Sequence, residues 1–219
     1  MKRLLATSVF LIVLSVAAQA AVQLELDAGI LRNKGGASVV PVGGLLQLIA
    51  SPSGSAANFV APTANSFVGG DNIVVASFAM NNNGGRIGEF DGLINFTLAN
   101  TGTPSATTFD AGDPLLLRWY PTLTFANLGT YSGPGSGTTY GQFRSATAVD
   151  GGAAWITPGD NTTTTVLVFA TTDASGSQPI ASGYASNTVP EPSAGLFCGL
   201  GLVIAMSARQ IMRRQRNLR

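Results

Sequence analysis

Between residues 21 and 174 the chain consists of short apolar segments separated by turn-forming residues. Residues 22–27 (VQLELD) alternate apolar and polar side chains with a period of two, which predicts a strand with one buried face. The longer segments that follow are β-branched or aromatic in good part and are bounded by Gly, Pro, Asn or Asp, so they also predict strands. They are residues 45–50, 73–80, 93–98, 115–120 and 164–171. Shorter candidates are residues 38–42, 141–144 and 153–157.

This pattern predicts an all-β domain over residues 21–174. No stretch between residues 21 and 188 keeps an apolar period of 3.6 residues over the length of a helix. Short strands without intervening helices favour an antiparallel β-sandwich or jelly roll. Residues 175–188 are rich in Ser, Gly and Ala, and we expect a flexible spacer there.

The first twenty residues have the three parts of a secretory signal peptide. Lys2 and Arg3 give a positive start, and an apolar core over residues 4–16 follows. Ala18 and Ala20 then form the small-x-small pattern that signal peptidase recognises, which predicts cleavage before Ala21. A buried N-terminal helix or an uncleaved anchor is the alternative, but a core of 13 residues is short for a membrane span.

The last 31 residues also have three parts in a fixed order. A rigid segment comes first at residues 189–193, containing Val189, Pro190, Glu191 and Pro192. An uncharged apolar stretch over residues 194–208 predicts a transmembrane helix, which Ile211 and Met212 extend to residues 194–212. The basic tail, residues 209–219, has no acidic residue and by its charge is expected to stay in the cytoplasm. Its arginines are Arg209, Arg213, Arg214, Arg216 and Arg219.

The order of Pro190-Glu191-Pro192, apolar helix and arginine-rich end resembles the PEP-CTERM sorting signal of Gram-negative bacteria. The resemblance covers only the C-terminal ~30 residues. It implies an exosortase-type membrane peptidase as partner, processing near the motif, and association with exopolysaccharide or the cell surface. The domain is then expected to be held at the inner membrane, outside the cytoplasm, before it reaches the surface or the matrix.

The predicted helix is short for a permanent anchor. Fifteen residues at about 1.5 Å each reach only ~22 Å across a ~30 Å hydrocarbon core. Snorkelling of Arg209 would lengthen it, whereas Gly195, Gly199 and Gly201 weaken it. We therefore favour a temporary hold for a processing enzyme over permanent anchoring.

Composition narrows the chemistry of the domain. The chain has no His and a single Cys, which removes the imidazole base of a Ser-His-Asp triad and the usual zinc sites. Residues 21–188 contain five basic and ten acidic residues, so the exported domain carries a net charge of about −5. An acidic domain lacks the electrostatic footprint of a nucleic-acid-binding protein.

The residues of the domain leave three kinds of site open: a calcium site, a sugar-binding site and a hydrolase active site. Asp110 and Asp113, with other Asp and Asn residues, could supply oxygen ligands to one structural calcium, although such residues also favour turns. Trp119 and Tyr120 could stack on sugars in a carbohydrate-binding module, with Trp119 in the core as the alternative. A glycoside hydrolase needs two facing carboxylates, and Glu25 and Glu89 lie in no recognisable motif. The sequence favours a non-enzymatic structural or interaction protein without a cofactor.

Overall fold

The computed structural model describes residues 21–36, 38–52, 59–82, 85–97, 110–148, 151–159, 164–171 and 183–191. These residues form eight strands and two short 3-10 helices. The strands are β1 (Ala21–Ala28), β2 (Gly44–Ala50), β3 (Ile73–Ala79), β4 (Phe90–Thr97), β5 (Leu115–Thr124), β6 (Thr139–Phe143), β7 (Thr165–Phe169) and β8 (Asn187–Thr188). The 3-10 helices are Lys34–Gly36 and Phe125–Thr130.

The strands form a three-stranded sheet in the order β4-β1-β7 and a five-stranded sheet in the order β3-β2-β5-β6-β8. The all-β prediction is confirmed. Every pair in the five-stranded sheet is antiparallel, as is the β1–β4 pair. The expectation of purely antiparallel pairing is wrong at one place, since β1 and β7 are parallel. Between β1 and β7 the chain forms β2, β3, β5 and β6 of the five-stranded sheet, so the long connection that parallel pairing requires is present.

One face of each sheet contributes to a shared apolar core. In β1 the buried residues are every second one, from Val22 to Ala28, as the period of two predicts. They pack in one cluster with the inward residues of β2 and β5, among them Leu48, Leu117 and Trp119. Face-to-face packing of two sheets supplies most of the stabilisation, because each fully buried Leu contributes roughly 1.5–3 kcal/mol.

Trp119 organises the middle of this core. Its indole is fully buried, lies 5.9 Å from the Phe169 ring of the opposite sheet, and donates from Nε1 to the Arg32 carbonyl at 3.2 Å. The neighbouring strand faces it with Gly141, where an added Cβ would lie 2.0 Å from indole carbon atoms. The glycine is therefore a steric requirement of the ring.

Several predicted boundaries differ from those observed. Residues 38–42 and 153–157 form the isolated bridges Arg32–Val39 and Pro114–Ile156 in place of strands. Residues 153–157 change partner along their length, since Ala153 N donates to the Val166 carbonyl and Trp155 N to the Ser145 carbonyl, so no continuous ladder forms there. β5 continues past Pro121 to Thr124. The register of β2 with β5 shifts there, between Gly44 and Leu45, so the missing N–H of proline interrupts no regular ladder.

The predicted flexible spacer over residues 175–188 needs correction at its C-terminal end. Residues 183–188 belong to the fold: β8 pairs with β6, and Ala185 is fully buried in the shared core. The spacer's remaining part, residues 175–182, lies outside the described residues. A composition of small polar residues does not prevent the backbone from completing a sheet edge, which is the physical reason for the difference.

Candidate functional site

The outer face of the five-stranded sheet carries a row of polar side chains across four strands. Gln47 of β2 lies opposite Ser77 of β3 and opposite Arg118 of β5, and Arg118 lies opposite Gln142 of β6. Gln47 donates from Nε2 to Ser77 Oγ at 3.3 Å. The alternation of β5 predicts this arrangement, since Leu117 and Trp119 face the core and Arg118 and Tyr120 face away from it.

Arg118 is fully buried in this row. Its guanidinium donates from Nη1 to the Phe67 carbonyl at 2.9 Å, and from Nη2 to the Val60 carbonyl at 3.3 Å and to Gln142 Oε1 at 3.2 Å. The guanidinium carbon also lies 5.2 Å from the centre of the Tyr140 ring. Among the described residues no carboxylate forms an ion pair with Arg118. The buried charge is therefore stabilised by neutral dipoles and an aromatic ring.

Tyr120 and Tyr140 belong to a buried apolar cluster beside Arg118. This cluster, which we call the outer-face cluster, also contains Leu45 and Val189. The Phe67 ring meets Tyr120 edge-on, with 5.4 Å between the ring centroids. Burial raises the pKa of Tyr120, and the positive charge of Arg118 opposes that rise to a smaller extent. Burial also raises the pKa of Tyr140, and the positive charge of Arg118 opposes that rise to a smaller extent.

Three parts of the chain outside the strands, which we call the outer cover, close this face: residues 59–72, residues 125–138 and Val189. Residues 59–72 supply the carbonyls that Arg118 binds. The second segment contacts the first, since Gly135 N donates to the Ala64 carbonyl at 3.0 Å. It also contacts the third, since Gly137 N donates to the Val189 carbonyl at 3.1 Å. The face is thus closed by loops, while the inner face is closed by another sheet.

Both predicted sugar-stacking residues lie inside the protein. Trp119 and Tyr120 are fully buried, on opposite faces of β5. Neither ring presents a free face to solvent, so the alternative that Trp119 is a core residue describes its position. A carbohydrate-binding role for the chain therefore has no support from these two rings.

The predicted sorting motif begins at Val189, near the end of the last range that the structure describes. Val189 is fully buried, whereas Pro190 and Glu191 are exposed. A carboxylate oxygen of Glu191 lies 3.9 Å from the position that a Cβ on Gly137 would take, so the motif leaves the domain beside the turn at residues 135–138. Pro192 and the five tail arginines lie outside the described residues.

The carboxylates that the structure describes in the domain include two groups. Asp27 of β1 and Asp91 of β4 are directly opposite on the outer face of the three-stranded sheet. Burial raises the pKa of Asp27, the charges of Asp91 and Glu89 add to the rise, and Arg86 opposes it. Glu89 itself pairs with Arg86 at 3.4 Å, and Glu25 is the next outward residue of β1 before Asp27.

The second group lies before β5. Asp113 Oδ2 accepts a hydrogen bond from the Asp110 backbone N–H at 2.7 Å, so this carboxylate caps its own turn. Burial raises the pKa of Asp113, the Asp110 hydrogen bond lowers it, and the charges of Asp110 and Asp71 raise it further. In the described part of the chain no three acidic or sulfur-bearing side chains are close enough together to hold a metal ion.

The two predicted targeting segments lie almost entirely outside the described residues. Ala18 and Ala20 of the predicted signal-peptidase site lie outside it, and Ala21 is the first residue of β1. The predicted transmembrane helix, residues 194–212, also lies outside it. Within the described ranges, no helix has the length and apolar character needed to cross a membrane.

Two features of this region are not predicted by the sequence: the burial of Arg118 and the last strand. The burial of Arg118 has no local signal, because its partners Val60 and Phe67 are more than fifty residues away along the chain. The last strand has a weak signal: Ala185 and Val189 are buried, whereas Ser186 and Thr188 between them are exposed. This alternation is hard to recognise because the segment is short and Asn187 is polar.

Comparisons with known proteins return no match: no protein-family model, no curated protein and no solved structure is similar to this chain.

Proposed function

We propose that this chain is an exported, non-enzymatic structural or interaction protein of the surface or exopolysaccharide matrix of a Gram-negative bacterium. Signal peptidase removes residues 1–20, and the sandwich formed by the two sheets is the cargo. The helix at residues 194–212 then holds the cargo at the inner membrane while an exosortase-type peptidase acts at Val189–Pro192. The proposal rests on the PEP-CTERM resemblance of the chain end.

One structural observation supports the proposal best. Pro190 and Glu191 are exposed directly beyond Val189, which is fully buried. A sorting enzyme needs its recognition motif accessible while the cargo stays folded, and exposed segments next to a domain boundary are where proteases act. The motif meets this requirement without a linker between it and the cargo.

The test is a motif substitution in a producing Gram-negative host that carries an exosortase-type peptidase. The variant Glu191→Ala is expected to accumulate as an unprocessed chain in the membrane fraction, while Thr188→Ala is expected to be processed like the natural chain. The two sites are three residues apart and both side chains are exposed, so the pair separates recognition from folding. Equal processing of both variants would count against the motif.

A carbohydrate-binding module remains a second hypothesis on the sequence alone. It would require exposed aromatic side chains, and Trp119 and Tyr120 do not provide them. Polysaccharide pull-down with the exported chain distinguishes a sugar-binding role from a purely structural one.

A further inference from the structure

The last segment of the domain is tied to three parts of the fold. Gly183 and Ala185 pair with Arg32: Arg32 N donates to the Gly183 carbonyl at 2.8 Å, and Ala185 N donates to the Arg32 carbonyl at 3.0 Å. β8 then pairs with β6. Val189 N donates to the Thr138 carbonyl at 2.9 Å, and its own carbonyl accepts from Gly137 N.

Burial reinforces these hydrogen bonds at both ends of the segment. Ala185 is fully buried in the core between the sheets, and Val189 is fully buried in the outer-face cluster with Tyr120 and Tyr140. Opening residues 183–189 would therefore expose apolar surface in two separate clusters. Segments with many buried contacts open rarely, and cleavage of the chain requires such opening.

The burial and the backbone hydrogen bonding of the chain change after Val189. Pro190 and Glu191 are exposed, and their backbones form no hydrogen bond with any other residue that the structure describes. A peptidase must draw several residues of its substrate into an extended conformation in its active site. The backbone is accessible for this at Pro190 and Glu191, whereas it is held by hydrogen bonds over residues 183–189.

We propose that the folded domain sets the proteolytic boundary of its own C-terminal end, so that peptidases cleave this end on the C-terminal side of Val189 and not within residues 183–189. This inference rests on the proposed function for its biological use, since it makes residues 183–189 a permanent part of the processed protein. In hydrolysis the peptide C–N bond breaks. Water then supplies a hydroxyl to the new carboxyl terminus and a proton to the new amino terminus.

Limited digestion of the full chain in detergent micelles tests the boundary without the sorting enzyme. Thermolysin cuts before apolar residues, so the Thr188–Val189 bond is a substrate wherever it becomes accessible. Mass spectrometry of the domain fragments is expected to give C-terminal ends at residue 189 or later. Fragments of the natural chain that end within residues 183–188, formed as fast as those ending beyond Glu191, would overturn the inference.

A matched pair of variants sharpens this test. Val189→Ala removes buried methyl groups from the outer-face cluster, and Thr188→Ala changes an exposed side chain on the same short segment. The rate to compare is that of the Tyr184–Ala185 bond, because thermolysin meets the same residues there in both variants. We expect Val189→Ala to raise cleavage of this bond by about tenfold, because local opening becomes easier. Thr188→Ala is expected to leave that rate unchanged, and equal rates in the two variants would contradict the inference.

The thermolysin digest tests the proteolytic boundary, and the test in the producing host tests the proposed sorting, so each hypothesis can be contradicted without the other. A chain that shows the expected boundary with thermolysin but is never processed in the producing host contradicts the proposed function and not this inference. A chain that is processed in the host at a position before Val189 contradicts this inference and not the proposed sorting.

Discussion

The two faces of β5 are both buried, but different kinds of structure cover them. A second sheet covers Leu117 and Trp119 on the inner face. The outer cover encloses Arg118 and Tyr120 on the outer face. A sheet can cover a face with apolar side chains alone, since its own backbone groups are already paired. A loop brings unpaired carbonyls, and Arg118 satisfies two of them.

This difference explains why a charged residue is buried in the outer face. The guanidinium is a multiple donor that can reach carbonyls in several directions, so one side chain fastens residues 59–72 to the sheet. The same face holds Val189, the buried first residue of the predicted sorting motif. The outer face therefore links the loops, the sheet and the chain end, whereas the inner face supplies the bulk of the stability.

The largest expected effect lies on the inner face. Trp119→Ala removes a fully buried indole and should lower the free energy of unfolding by about 3–5 kcal/mol. Urea denaturation measures it, with Thr122→Ala, an exposed position on the same strand, as the control. A loss below about 1 kcal/mol, the range of surface substitutions, would mean that the inner face is not a closely packed core.

A smaller and more local effect is expected on the outer face. Arg118→Met keeps much of the side-chain volume but leaves the Val60 and Phe67 carbonyls without their donor, at a cost of about 1–3 kcal/mol per buried unsatisfied group. Amide hydrogen exchange should rise in residues 59–72 while β1 and β5 stay protected. Arg86→Met, which removes an exposed guanidinium, is the control. Uniform loss of protection in both sheets would contradict the separation of the two faces.

The smallest effect concerns the paired carboxylates Asp27 and Asp91. The folded state raises the pKa of Asp27 above its ordinary value of 3.8, so it holds the proton more tightly than the unfolded chain does. Stability must then fall as pH rises from 3.8 through the raised pKa. Asp27→Asn should abolish this fall and stabilise the domain at pH 7, by at most about 0.5 kcal/mol because solvent screens the exposed side chain.

The measurement is the free energy of unfolding in urea at a series of pH values, with Glu25→Gln on the same face as the control. Lower stability of Asp27→Asn at neutral pH would show that the carboxylate makes a favourable interaction there instead.

The sequence predicts the parts of the fold that depend on local pattern. Residues 22–27 and 115–120 have clear alternation, and β1 and β5 form there with the expected faces inward. It does not predict the parallel partner of β1, because pairing between distant strands leaves no local pattern. It also misses β8, where two strand residues carry too little apolar surface to be recognised.

Of the candidate site, too, the sequence predicts only the part that depends on local order. The motif at Val189–Pro192 is visible in the sequence because it depends on the order of residue types. The burial of Val189 depends on Tyr120 and Tyr140, which are brought to it by the sheet, so only the folded chain reveals it.

Intact mass of the protein from the membrane, periplasmic and medium fractions of the producing bacterium tests the central claim most directly. The account predicts a species that begins at Ala21 and ends between Val189 and Pro192, outside the cytoplasm. A chain that retains its first twenty residues and its arginine tail in the cytoplasm would contradict it.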